Sequence, residues 1–118
     1  MLTIRDEQMA SLSEGPRSRY EDARVRHVRE TFSESFEALG EDGVRSMVRE
    51  GMVRAVTYRI TAESDVARFI DVMLLVSADF DAVPDDSWLG QTLADKTVSG
   101  RVKMDRVWGW ARSPKEPT

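Results

Sequence analysis

The chain has 118 residues, no cysteine and a single histidine, so disulfides, thiolate zinc sites and two-histidine metal centres are excluded at the outset. A net charge of −4 at pH 7, with 32% of residues charged, favours solubility and argues against general nucleic-acid binding, which needs a basic footprint. That length suits one domain that buries its own core, and the opening Met1-Leu2-Thr3-Ile4-Arg5-Asp6-Glu7 has no basic-then-apolar signal pattern.

Apolar residues recur every three or four positions, and no stretch alternates long enough for a strand. The expected fold is all-α, a compact single-domain bundle of about five to six helices over residues 1–112. The first predicted helix covers Ile4 to Leu12, with Thr3 as its cap and Asp6 in its first turn. Gly15-Pro16 interrupts the chain and places proline in the first turn of a second helix that runs to about Phe32. Tyr20, Ala23, His27, Val28, Thr31 and Phe32 share its buried face, while Arg17, Arg19, Arg24, Arg26 and Arg29 occupy much of the rest. Glu21, Asp22 and Glu30 interleave with those arginines at intrahelical pairing distance, worth a few tenths of a kcal/mol each. Ser33 is placed to cap a short turn holding Phe36 and Leu39, which Gly40 stops.

A third helix begins near Glu41-Asp42, with Val44, Met47, Val48, Met52, Ala55 and Val56 as its apolar stripe. Gly51 inside it costs about 1 kcal/mol against alanine, and a close crossing with another helix would account for it. Thr61 is the expected cap of the fourth helix, with Glu63 and Asp65 in the first turn. Val66, Phe69, Ile70, Met73 and Leu74 form one face, and Val72, Leu75 and Val76 widen it almost all round, which makes this the central helix. Its apolar run falls far short of the roughly 20 residues a membrane span requires, and Asp71 interrupts it; no membrane partner is expected. Asp79 to Asp86 is a loop ending at a cap, Asp86 or Ser87. A short helix from Trp88 to about Ala94 follows, then a last helix opened by Ser99 and a polar tail at residues 113–118.

Patterns that carry chemistry are missing. No Gly-x-Ser-x-Gly elbow presents a nucleophile to His27, which sits at the edge of an apolar stripe as a packing residue. No phosphate-cradling glycine motif occurs, and Asp79–Asp86 lacks the central glycine and closing glutamate of a calcium loop. No catalytic, cofactor-binding or metal-ligating residue is therefore assigned, and no cofactor is expected. Between Glu63 and Asp95 the one cation is Arg68, whereas Lys96, Arg101, Lys103, Arg106, Arg112 and Lys115 outweigh Asp105 and Glu116 thereafter. The two regions can neutralise one another in the fold or serve a partner. The arginine-rich second helix offers a solvated face or an anionic contact, the latter suggesting a small regulatory nucleic-acid-binding domain. Of the three tryptophans, Trp108 and Trp110 are two apart, so one helix face cannot bury both. Either one of them meets a partner, or the final helix is buried broadly. With Arg101 and Arg106 they are the candidate partner-binding residues.

Several segments carry a family resemblance: Ile4-Arg5-Asp6-Glu7-Gln8-Met9, Leu39-Gly40-Glu41-Asp42 and Val48-Arg49-Glu50-Gly51-Met52, then the run from Ile60 to Asp71, Asp79-Phe80-Asp81 and Trp88. In these the chain resembles small bacterial proteins encoded near type VI secretion spike and effector genes, departing from them at Gly15-Pro16. The resemblance covers most of the chain and consists of capping and core patterns, with no active-site residues to carry over. The resemblance implies a neighbourhood and no mechanism; taken with the missing catalytic patterns and a tryptophan free to meet a partner, it gives the expectation of a cytoplasmic, non-enzymatic protein-binding module: a chaperone, adaptor or neutralising partner of an effector or spike protein.

Overall fold

The helical spacing of the sequence closes into five α-helices in the computed structural model, which describes residues 14–112. They are α1 (Glu14–Thr31), α2 (Ser33–Thr57), α3 (Glu63–Leu75), α4 (Trp88–Ala94) and α5 (Gly100–Ala111). No strand occurs among the described residues, and the fold is an all-α single-domain bundle. The helix expected over Ile4–Leu12 and the tail at 113–118 lie outside the described residues. No helix among those described is long and apolar enough to cross a membrane.

The expected stop at Gly40 is present: its φ of 78° and ψ of 164° lie outside the helical region, so α2 is two helical pieces, one from Ser33 and one from about Glu41, meeting at a kink. Glycine alone adopts that conformation without a Cβ penalty. Ser33 caps nothing; it is the first residue of α2, and the cap position belongs to Phe32 with no side-chain bond. The reason is continuity: Phe32 N bonds Val28 O at 2.8 Å and Phe36 N bonds Phe32 O at 2.9 Å, so α1 passes into α2 through backbone bonds.

Thr61 is likewise no cap. Ala62 holds that position, its carbonyl accepting from Asp65 N at 3.0 Å and Val66 N at 2.9 Å. The turn before it closes on Ala55 and Val56 through Tyr58, Arg59 and Ile60, with Arg59 at a φ of 64°, which sets the start of α3 one residue later.

The helices pack in chain order, α1 on α2, α2 on α3, and α3 and α4 on α5, in a slab 18 Å thick. Packed between α2 and α5, α3 is also tied to α1 through Tyr20 and His27. Val66, Phe69, Ile70 and Val72 are fully buried, but Leu75 is 47% exposed. The expectation that α3 is covered almost all round fails at its end, where Leu75 and Val76 are exposed. The close crossing expected at Gly51 is present: a Cβ there would stand 2.8 Å from Ile70 Cγ1 and 3.0 Å from Met73 Sδ.

Several polar groups buried by this packing pair between elements, while Arg24 Nε and Asp71 Oδ1 have no hydrogen-bond partner. Glu21 does not pair within α1; its two carboxylate oxygens each accept from Arg49 Nε of α2 at 3.0 Å. Arg45 Nη1, also from α2, lies 2.9 Å from Asp22 and 3.5 Å from Glu21. Helix packing brings these partners closer than the intrahelical spacing does. Lys103 of α5 is wholly buried and donates from Nζ to Tyr58 O at 2.7 Å. It meets the carbonyl end of α2, where the helix dipole favours a cation. Burial, with Arg59 nearby, still holds its pKa below the ordinary lysine value.

Candidate binding groove

The segment between α3 and α4 is fixed from α2. Arg54 donates through Nε to Asp81 Oδ2 at 3.3 Å, through Nη2 to Asp81 Oδ1, and through Nη2 to Ala78 O at 2.9 Å. Tyr58 Oη donates to the same carboxylate at 2.7 Å. Burial alone would raise the Asp81 pKa; the bonds from Arg54 and Tyr58 outweigh it and hold the carboxyl below its ordinary range. Asp81 thus ties the loop to α2, Asp79 accepts from Ser77 Oγ within it, and Phe80 between them is buried. Phe80 stacks 5.0 Å from Phe69 and 6.4 Å from Trp110, and Phe69 lies 6.0 Å from Tyr58, so an aromatic row runs from α2 to α5.

Beyond Phe80 the chain emerges through Val83 and Pro84. Ser87 N and Oγ both donate to Pro84 O, at 3.0 and 2.6 Å, and Ser87 Oγ accepts from Gly90 N at 3.0 Å. Ser87, not Asp86, is therefore the cap, and it fixes Trp88 as the first residue of α4 with nearly half its surface, 48%, in solvent. Between this loop with α4 on one side and α5 on the other lies an open groove of about 890 Å³. Val83, Pro84, Trp88 and Leu89 line it from one wall, Gly109 and Trp110 from the other, with Asp86 and Arg106 as charges on opposite walls. Asp105, also at the groove, is held by Arg68 Nη1 at 3.0 Å.

Of the four candidate residues, the structure brings Trp110 and Arg106 together in this groove. Trp108 is half-buried against the core and Arg101 is exposed, and neither lines the groove. Trp108 and Trp110 are both partly buried against the core, and the exposed tryptophan is Trp88, which was not among the candidate partner-binding residues. Its signal was its place directly after a serine cap and a Val-Pro segment. A second, smaller depression of about 390 Å³ lies near the α2 kink, lined by Leu39, Met47 and Leu74 among others.

His27, expected as a packing residue, is half-buried, and its Nε2 lies 3.2 Å from Asp71 Oδ2 of α3. Thr31 Oγ1 stands 3.4 Å from Nδ1, so a hydroxyl, an imidazole and a carboxylate fall in line. Among the described residues, nothing adds the further groups of a nucleophilic site to this line. Thr31 is four residues from His27 on the same helix, its oxygen is distant for a hydrogen bond, and neither depression is lined by any of the three. Burial lifts the Asp71 pKa above its ordinary value against the opposing pull of His27 and Arg24, the wrong direction for a carboxylate that steadies an imidazolium. The trio clasps α1 to α3, beside the bond from Tyr20 Oη to Glu63 O at 2.8 Å. Arg17, Arg19, Arg26 and Arg29 of α1 are exposed, with the Arg29 guanidinium over the Phe36 ring at 5.3 Å. Among the described residues, no three histidine or acidic side chains converge as a metal site would need.

No protein-family model, no curated protein and no solved structure matches this chain.

Proposed function

We propose that the chain is a non-enzymatic protein-binding module of the cytoplasm, a secretion-associated accessory that serves as chaperone, adaptor or neutralising partner of an effector or spike protein. The observation that carries the binding reading is the groove between the 83–88 segment and α5, a mostly apolar groove lined by a half-exposed Trp88 and by Trp110. Tryptophan in a partly walled apolar groove is the side chain most enriched among residues that dominate binding energy. The secretion system and the nature of the partner rest on the resemblance carried by the Ile60–Asp71 run and its companion segments.

Affinity purification of the tagged chain from its native host tests this, run in parallel with a Trp88→Ser variant. The expected result is a stoichiometric effector or spike protein with the wild type that is lost with the variant. A chain recovered alone, or a partner held equally by both, contradicts the proposal.

A further inference from the structure

We propose that the groove takes an amphipathic helix of another protein, laid along α5, with a cation on the flank facing Asp86 and Trp88 and a carboxylate on the flank facing Arg106. This rests on the reading of the chain as a protein-binding module and adds the chemistry of what it binds.

The lining residues on α5 are Asp105, Arg106, Gly109 and Trp110, spaced along one helix face, so the groove follows the α5 axis. A rod-shaped occupant fits that shape, and an apolar stripe at three- and four-residue spacing is the pattern a helix lays in such a groove. Gly109 opens the middle: a Cβ built there meets nothing within 4 Å, so an incoming anchor side chain can approach the α5 backbone. The floor is apolar, and burying anchors on Leu89, Val83 and the tryptophan rings supplies the affinity.

Charge selects the occupant. Asp105 is satisfied by Arg68, which leaves Arg106 as the α5 charge open to a ligand, while Asp86 has no ion pair among the described residues. A cation beside Asp86 also gains the face of Trp88, the best aromatic partner for it. One acid on the loop wall and one cation on the helix wall favour a helix carrying opposite charges on its two flanks, and disfavour one that carries a single sign on both.

Three synthetic helical peptides with one apolar stripe test this by calorimetry: lysines on one flank with glutamates on the other, lysines on both, and glutamates on both. The mixed peptide is expected to bind the full chain about fivefold or more tighter than either single-sign peptide. Asp86→Lys is expected to move the preference to the all-glutamate peptide, and Arg106→Glu to the all-lysine one. Gly109→Phe, whose ring enters open space and so leaves the fold intact by circular dichroism, is expected to abolish binding of all three. An order that neither charge substitution changes overturns the proposal, as does full binding by Gly109→Phe. Equal binding of a proline-broken mixed peptide overturns the helix. A concentration-dependent dimer that Gly109→Phe dissolves assigns the groove to a second copy and overturns it too. Failure here with a native partner still lost on Trp88→Ser leaves the module reading standing. Charge-ordered peptide binding with no native partner removes only the accessory role.

Discussion

Gly51 of α2 faces Ile70 of α3 so closely that a Cβ would stand 2.8 Å from Ile70 Cγ1, and the two helices meet at a separation that only glycine permits. Ile70 is fully buried and its Cγ1 sits near its own backbone, so it cannot move aside as the Met73 sulfur could. Gly51→Ala would gain about 1 kcal/mol of helix propensity and lose about 1–3 kcal/mol to overpacking. The expected net is a destabilisation of about 1 kcal/mol, read by urea unfolding. In an Ile70→Ala background the same substitution should become neutral or stabilising, because the clash is gone.

That crossing shows what was legible in the sequence. Spacing located the helices because apolar residues recur on one stripe of each, and Gly51 and Ser99 announced their roles through residue chemistry alone, whereas Ser87 was one of two caps that chemistry allowed, with Asp86. Ser33 and Thr61 carried the same chemistry without the role, since backbone bonds through Phe32 and Ala62 had already set the helix starts. Leu75 and Val76 looked buried because composition does not reveal how far a neighbouring helix extends. For the groove, Arg106 and Trp110 were found because α5 is continuous and aromatic. Trp88 and Val83 were not, because their contribution depends on Arg54 and Tyr58 holding Asp81 more than twenty residues away.

Asp81 should be the acid whose loss loosens the groove wall. Its folded pKa lies below the ordinary 3.8, so its stabilisation is full above that value and is lost as pH falls through the folded value. Asp81→Asn is expected to cost about 2 kcal/mol near neutral pH, the range for hydrogen bonds to a charged group. The difference from wild type should shrink in acid, below pH 3.8. Chemical unfolding of both proteins across that range measures it; a difference that stays constant into acid would assign the cost to packing.

Neither tyrosine should ionise at its ordinary pH. Burial, then the hydrogen bond to Asp81 and that residue's charge, push Tyr58 up to about 12. Burial, with the carboxylates of Glu63 and Asp71, pushes Tyr20 higher, against the opposing pull of Arg24. Both folded values lie above the unfolded 10.0, so the stability they contribute is present below pH 10 and is lost as pH rises through the folded values. Ultraviolet titration should show no phenolate at pH 10.0 in the native protein and two half-ionised tyrosines in denaturant. Phenolate absorbance at pH 10.0 in a native Tyr20→Phe variant would mean that Tyr58 is neither buried nor bonded to Asp81 as described.

Amide hydrogen exchange of the chain, alone and with a co-purified native partner, tests the groove as the binding surface most directly. The account predicts slowed exchange in residues 83–91 and 105–112, with α1 and the bend of α2 unchanged. Protection confined to α1 or to the depression at Leu39 and Met47, with the groove exchanging freely, would contradict it.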